Sequence, residues 1–206
     1  MLATLCGAIA ALALFAIMLL TLVDVASRLE IATPGTWQRE PVAGIPANTH
    51  TVIVDVDEYG DEIFVDSSGF TAPSRLLWGH AGQPLVEVKS APGFFDAGGL
   101  EVSQHFVASA DGTRIPYFVV GNRDSGGPGP TLLGGYGGFE SSNLPGYAGV
   151  LGRLWLARGG TYALANIRGG GEYGPSWHTR AMRENRHLVY EDFAAVAQDL
   201  VARGIT

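Results

Sequence analysis

The chain has 206 residues, 47% of them hydrophobic and 16% charged, which suffices for one ordinary domain or for parts of two. The net charge of −7, with no visible basic face, gives no electrostatic reason to expect a nucleic-acid partner. Cys6 is the single cysteine and the five histidines lack close ligand spacing, so disulfides within the chain are excluded and no metal or other cofactor is predicted.

The N-terminal thirty residues (1–30) are predicted to form a separate apolar helix. The uncharged run starts at Leu2 and ends at Val23, and as a helix it would span about 33 Å, slightly more than a bilayer core of about 30 Å. No Lys or Arg precedes the run, so an uncleaved membrane anchor is favoured over a signal peptide. With a genuine anchor the protein is expected to contact a membrane or to be exported, and otherwise to be cytoplasmic.

The end of this run, LVDVASR at residues 22–28, resembles the end of the first membrane helix in the small permease subunits of tripartite carboxylate transporters. That resemblance is confined to the N-terminal segment. Two interpretations stay open: a helix that derives from a different gene product, or a generic anchor.

Residues 31–49 are rich in Pro, Gly and Thr and are predicted to form an irregular linker. From residue 50 to residue 99, short β segments alternate with turn residues at a spacing typical of antiparallel strands. The segments are TVIVDVD (51–57), EIFVDSS (62–68), SRLLWGH (74–80) and PLVEVKS (84–90). Four such strands form one sheet, such as a propeller blade, although no internal repeat identifies a propeller.

Residues 100–206 have the pattern of an α/β sheet. An Asp-Gly turn at 111–112 separates two apolar runs and predicts a hairpin. Two further predicted strands, TLLGGYG and TYALANI, flank a helix around residues 148–158. After a loop-rich stretch, apolar residues at positions 189, 193, 196, 197, 200 and 201 form the stripe of an amphipathic helix. The order hairpin, strand, helix, strand, helix predicts a sheet with a mixed edge.

Two glycine-containing strings match motifs from other folds. DSGGP at residues 124–128 matches the nucleophile motif of chymotrypsin-like proteases, but the strand–helix alternation contradicts a double β-barrel, so a loop is predicted. GxGxxG at residues 169–174 matches the loop of dinucleotide-binding folds. Pro175 and its neighbours follow where a long helix should begin, and no acidic residue ends a second strand about twenty residues on, so this match is also rejected.

A third string, GGYGGF at residues 134–139, follows a predicted strand at the position where an α/β-hydrolase places its oxyanion loop. Glycines there let the backbone approach a substrate carbonyl, and the Tyr136 hydroxyl could donate a hydrogen bond to a developing oxyanion. A tight turn with an aromatic plug explains the same residues equally well. The residues alone leave both interpretations open.

Six strings in one order resemble the prolyl oligopeptidase family of serine peptidases, including the related bacterial oligopeptidases. They are SSGFTAPSRLLW (67–78), ASADGTRIPYFVV (108–120), YGGF (136–139), ANIRGGGEYGPSWH (165–178), ENRHLVYEDF (184–193) and GIT (204–206). The resemblance covers residues 50–206. It implies an α/β fold: an incomplete α/β-hydrolase domain over 100–206, preceded by a remnant of the last propeller blade over 50–99.

The resemblance also implies a function and its residues. The family hydrolyses short peptides by a Ser-His-Asp acyl-enzyme mechanism without a cofactor, and cleavage after proline is one candidate specificity. Tyr136 would be the oxyanion-hole tyrosine, and Phe139 would lie near the substrate pocket. Arg168 and Glu172 would organise their loop through ion pairing.

The family's nucleophile elbow, GGSNGG, and the triad Asp and His would follow the GIT string at residues 204–206. We therefore expect this chain alone to be inactive. The alternative hypothesis is a membrane-tethered, non-catalytic binding protein built on an incomplete hydrolase scaffold.

Overall fold

The computed structural model describes residues 28–33, 36–57, 59–122 and 127–206, with side chains described from residue 42 onward. Ten strands form three sheets within these residues. The strands are β1 (Arg28–Thr33), β2 (Thr36–Pro41), β3 (Thr49–Val56), β4 (Glu62–Gly69), β5 (Arg75–His80), β6 (Val86–Ser90), β7 (Leu100–Ala108), β8 (Arg114–Asn122), β9 (Thr131–Gly135) and β10 (Thr161–Ala165). The helices are α1 (Gly149–Leu154), α2 (Pro175–Thr179) and α3 (His187–Ala202), with 3₁₀ turns at Leu156–Arg158 and Arg183–Arg186.

The predicted apolar helix over residues 1–30 lies outside the described residues, apart from its last three. Those three residues belong to β1, which is a strand and not the end of a helix. Among the helices of the described residues, none combines the length and the apolarity needed to cross a bilayer.

The predicted irregular linker over residues 31–49 is wrong in its first part. Strands β1 and β2 pair antiparallel, with Arg28 opposite Pro41 and Thr33 opposite Thr36. β1 reads RLEIAT, an alternation of polar and apolar residues that suits a strand. The Pro and Gly content of the surrounding sequence concealed this short alternation.

Strands β3 to β6 form the predicted four-stranded antiparallel sheet, in chain order. Side chains of β4 alternate in burial because successive residues of a strand point to opposite faces. Ile63, Val65 and Leu77 form the core of one face. β6, at one edge of this sheet, is exposed along its whole length.

Strands β7 to β10 form a mixed sheet in the order β7-β8-β10-β9. The β7/β8 and β8/β10 pairs are antiparallel, whereas β10 and β9 are parallel. This confirms the mixed edge predicted from the order of elements. Alternate residues of β8 contribute to two different cores: Tyr117 packs on the α3 side with Val196 and Leu200, and Phe118 packs on the other side with Leu164.

The sheet of β3 to β6 is connected to the sheet of β7 to β10 by Phe70, which lies just after β4 and belongs to a core cluster of the second of these sheets. Its ring centroid lies 5.5 Å from that of Phe118 and 6.2 Å from that of Tyr162. The backbone N–H of Ala148 donates to the Phe70 carbonyl at 3.1 Å. The sheet of residues 49–90 is therefore packed against the α/β unit through a buried aromatic contact.

Candidate active site

The candidate site lies where two loops leave the carboxyl ends of the parallel strands β9 and β10. Gly135, at the end of β9, is the register partner of Ala165, at the end of β10. The loop over residues 136–140 follows the first strand, and the loop over residues 166–174 follows the second. In open α/β sheets, ligands bind at the carboxyl ends of the strands. The topology thus brings the GGYGGF and RGGGEYG strings together.

Glycines allow the two loops to touch backbone to backbone. A Cβ atom on Gly169 would overlap the carbonyl oxygen of Gly137, and one on Gly171 would overlap the carbonyl oxygen of Glu140. The Glu140 N–H donates to the Gly169 carbonyl at 3.2 Å. Gly169 and Gly171 are thus used for close packing between loops. This supports rejection of the dinucleotide motif, because a pyrophosphate would need that space.

Gly137 is also tightly packed, and its neighbours include core side chains. Its φ of +60° lies in the left-handed region, and a Cβ there would lie 2.7 Å from Ile167 Cγ1 and 2.8 Å from Val189 Cγ1. We expect Gly137→Ala to destabilise the chain by about 2–4 kcal/mol, because left-handed strain and overpacking add together. Chemical denaturation measures this loss.

Gly159→Ala is the matched control. Gly159 has a φ of +85°, but a Cβ added there would meet no heavy atom within 4 Å. The control should lose only about 1–2 kcal/mol from backbone strain. Equal losses in the two variants would show that close packing at Gly137 is not required.

Tyr136 and Phe139 present two aromatic rings to solvent at this edge. Their side chains are 52% and 88% exposed, and their ring centroids lie 6.5 Å apart with planes inclined by 26°. Phe139 has a φ of 53° and Glu140 a φ of 55°, both in the left-handed region that non-glycine residues seldom adopt. An exposed phenylalanine in this conformation is typical of a functional loop.

Arg168 lies behind this edge, fully buried. Its guanidinium contacts both carboxylate oxygens of Asp192 on α3, with Nε–Oδ2 at 2.9 Å and Nη2–Oδ1 at 2.6 Å. The Arg168 side chain is 2% exposed and that of Asp192 is 0% exposed, so the pair has no access to water. The hydrogen bond to Asp192 is the main reason why the pKa of Arg168 is raised. The geometry is a bidentate, charge-assisted pair.

The same guanidinium anchors the β7–β8 hairpin turn. Arg168 Nη1 donates to Asp111 Oδ2 at 2.5 Å and to Thr113 Oγ1 at 3.3 Å, and Nη2 donates to Ser109 Oγ at 3.3 Å. The hydrogen bond from Arg168 lowers the pKa of Asp111 to about 2. A single side chain therefore connects the hairpin turn, the end of β10 and α3. This arrangement gives Arg168 a structural role.

Glu172 differs from the prediction: within the described part of the chain it forms no ion pair. Its Oε1 accepts hydrogen bonds from the Asn143 backbone N–H at 2.8 Å and from Asn166 Nδ2 at 3.4 Å. Its Oε2 is buried without a hydrogen-bond partner among the described residues. Burial raises the pKa of this carboxyl group. Amides, which have no charge, replace the expected cation.

Glu172→Gln is therefore expected to be tolerated at neutral pH and to raise stability there by up to about 1 kcal/mol. Because its pKa is raised in the folded state, Glu172 contributes most to the free energy of unfolding at a pH below its unfolded-state pKa. This contribution to stability is lost as the pH rises through the folded-state pKa. The stability of the variant should therefore differ most from that of the wild type at a pH above the folded-state pKa of Glu172, and least at acid pH. Urea denaturation across pH 4–8 checks this. A variant that is less stable at neutral pH than at acid pH, relative to the wild type, would contradict it.

Sequence reasoning missed Asp192, His178 and Arg186. Asp192 falls on the apolar stripe of α3, three residues after Val189, and a carboxylate in that position requires a buried partner. This signal could have identified the Arg168 pair. His178 and Arg186 contact backbone carbonyls of the two loops, and no sequence pattern indicates such contacts.

Two other candidates give no catalytic site within the described residues. The DSGGP string at residues 124–128 lies largely outside the described residues. Ser103 Oγ lies 2.8 Å from His105 Nε2, but in the part of the chain that the structure describes no carboxylate is hydrogen-bonded to the other ring nitrogen. Burial lowers the pKa of His105. A catalytic triad requires that third group to orient the imidazole.

Three features identify the fold as the first part of an α/β-hydrolase. They are the mixed sheet, the parallel β9/β10 pair and the glycine-rich loop that follows β9. The family model described as "Prolyl oligopeptidase family" (Peptidase_S9) matches residues 152–206. These observations agree with the resemblance carried by the motifs.

Individual relatives extend the match beyond this segment. An uncharacterized peptidase from Sinorhizobium fredii is 47% identical over 175 residues, covering 84% of this chain and 24% of the relative. The prolyl endopeptidase of Elizabethkingia miricola is 41% identical over 105 residues, covering 50% of this chain and 15% of the relative. The structure of a post-proline cleaving enzyme from Rickettsia typhi aligns with a TM-score of 0.70 and 30% identity, covering 88% of this chain and 27% of that one.

The chain belongs to the prolyl oligopeptidase family of serine peptidases, as the motifs predicted. It spans about a quarter of the length of the Sinorhizobium relative that it matches. The likeness of residues 22–28 to a transporter permease subunit gains no support from these matches.

Proposed function

We propose that this chain contributes the oxyanion-stabilising part of a serine oligopeptidase that hydrolyses short peptides, including bonds after proline. The observation that carries the proposal is Tyr136, whose half-exposed ring stands on a glycine-rich loop directly after β9. Family membership and the post-proline cleaving relatives support the reaction class and the specificity.

The chemistry assigned to Tyr136 follows from the reaction. When a serine hydroxyl attacks a peptide carbonyl, the carbonyl oxygen gains negative charge in the tetrahedral intermediate. A phenolic O–H held at a fixed position stabilises that charge without reorganisation. The nucleophile, its histidine base and the orienting aspartate are not assembled within the described residues. They are assigned to the remainder of the family enzyme.

Phe139 is assigned to the substrate surface. Its ring is exposed and lies beside the Tyr136 ring, so an apolar substrate residue could pack against it next to the oxyanion donor. A proline ring has the size and the apolarity for such a contact. Peptide substrates are thus the proposed partners. No observation in the described residues favours the membrane-tethered binding protein.

The test is a chimera in which the matched residues of this chain replace the corresponding 105 residues of the Elizabethkingia prolyl endopeptidase. The chimera is challenged with a chromogenic peptide cleaved after proline and with a fluorophosphonate probe. We expect turnover and labelling of the active-site serine. The chain by itself is expected to give neither.

The controls separate folding from function. The chimera must unfold cooperatively, and the parent enzyme sets the reference for kcat and KM. A cooperatively folded chimera that is labelled by the probe but has no turnover would contradict an oxyanion role for this segment. Serine-dependent turnover by the chain alone would contradict the assignment of the triad to the remainder of the enzyme.

A further inference from the structure

The loop that carries Tyr136 and Phe139 is strained and is not held by burial of its side chains. Phe139 is 88% exposed, yet it adopts a φ of 53°, and the next residue, Glu140, adopts a φ of 55°. A left-handed non-glycine residue costs about 1–2 kcal/mol. Because the Phe139 ring gains little from packing, contacts on either side of it must hold this backbone.

One such contact is made by Arg186, which directly precedes α3. Its Nη1 donates to the Gly137 carbonyl at 2.5 Å. A Cβ built on Gly169 would lie 3.1 Å from the same nitrogen, and one built on Gly138 would lie 3.8 Å from Nη2. The guanidinium therefore lies at the junction of the two loops.

The second contact lies on the far side of Phe139. The Gly169 carbonyl accepts a hydrogen bond from the Glu140 N–H at 3.2 Å and lies 2.7 Å from His178 Nδ1. The strained residue is thus fixed from both sides. The contact from Arg186 comes from a charged side chain, and its hydrogen bond to a carbonyl is charge-assisted.

We propose that Arg186 is a positioning residue that acts through the Gly137 carbonyl to hold Tyr136 and Phe139 in the orientation required for catalysis. This proposal rests on the proposed function of Tyr136. Arg186 touches neither ring in the described contacts, so its effect on the reaction is transmitted by the backbone. A displacement of about 1 Å in a positioning group can reduce rate by about 100-fold.

The experiment introduces Arg186→Met into the active chimera, alone and together with Tyr136→Phe. Arg186→Met is expected to lower kcat by about 10- to 100-fold. If Arg186 acts through Tyr136, the kcat of the double variant should be no lower than that of Tyr136→Phe alone, because the Tyr136 hydroxyl is already absent. Arg186→Lys, which keeps a cationic donor, should recover part of the lost rate.

A direct readout follows the loop itself in the chain without the rest of the enzyme. Hydrogen exchange of the Glu140 amide should become faster in Arg186→Met, because the loop is released on one side. Arg180→Met is the matched control: Arg180 is exposed two residues after His178, and its guanidinium has no hydrogen bond or ion pair with the described residues. It should change neither kcat nor Glu140 exchange.

Several outcomes would overturn the proposal. Rate losses that multiply in the double variant would show that Arg186 and Tyr136 act independently. An unchanged kcat in Arg186→Met would show that the contact is not required, while the activity of the parent chimera would leave the proposed function intact. If Arg186→Met does not fold, Arg186→Lys is combined with Tyr136→Phe in the same way. Rate losses that multiply in that double variant would also contradict the proposal.

Discussion

Replacing Tyr136 with phenylalanine in the chimeric peptidase is expected to lower kcat by about 10²- to 10³-fold. The substitution removes one oxygen and leaves the ring, which keeps its contact with the Phe139 ring at 6.5 Å between centroids. Removal of a single oxyanion donor in other hydrolases costs about 3–4 kcal/mol of transition-state stabilisation. Because the ring is retained, any loss of rate in Tyr136→Phe reports on the hydroxyl donor alone.

The split between kcat and KM distinguishes this role from a binding role. The oxyanion exists only in the transition state, so loss of its donor should lower kcat and kcat/KM equally and leave KM within about threefold of the parent. A hydroxyl that merely bound substrate would raise KM and spare kcat. Steady-state kinetics with the post-proline substrate measure both values.

Tyr190→Phe is the control for loss of a phenolic hydroxyl. Tyr190 lies on α3, is 67% exposed and has no hydrogen bond with the described residues. It should leave kcat within about twofold of the parent. If both tyrosine variants slow the enzyme equally, or if Tyr136→Phe retains full activity, Tyr136 is not the oxyanion donor.

The strands of the mixed sheet could be predicted because each carried a local signal, whereas their spatial order β7-β8-β10-β9 was not predicted. The Asp-Gly step between apolar runs indicated the β7–β8 hairpin, and the continuous apolar run TYALA indicated the buried strand β10. Parallel pairing of β9 and β10 followed from the helix between them. In contrast, β1 and β2 lie in a stretch whose Pro and Gly content indicated a loop.

The candidate site was only partly accessible to sequence reasoning. The YGGF string identified Tyr136 and Phe139, but no local pattern predicts that Phe139 is left-handed and exposed. The family resemblance implied that Glu172 would form an ion pair. Its actual partners, Asn143 and Asn166, come from two other segments that only the fold brings together.

Arg168→Met is expected to destabilise the chain by about 3–5 kcal/mol, the largest stability loss of any substitution considered. The methionine has a similar length but cannot neutralise Asp192, whose side chain is 0% exposed. Asp111, at 39% exposure, can return to water and should contribute little to the loss. The unpaired buried carboxylate at Asp192 is therefore the main cause. Urea denaturation followed by tryptophan fluorescence measures the change.

Arg203→Met provides the matched control. Arg203, the residue after the end of α3, pairs with Asp199 at 2.8 Å in an i,i+4 geometry, but its side chain is 40% exposed. Such a pair contributes about 0.3–0.5 kcal/mol. A loss of similar size in both variants would contradict the view that the cost at Arg168 comes from a buried, unpaired charge.

The double variant Arg168→Met/Asp192→Leu tests the cause directly. Removing both charges leaves no unpaired ion, and replacement of a buried ion pair by apolar side chains is often neutral. Part of the cost should remain, because Ser109 loses the Asp192 acceptor that it contacts at 2.6 Å and the hairpin turn loses its anchor. We therefore expect the double variant to be more stable than Arg168→Met by about 1–3 kcal/mol. If the second substitution lowers stability further, the Arg168 side chain matters chiefly for its packing and its contacts with the turn at residues 109–113, and charge compensation of Asp192 is secondary.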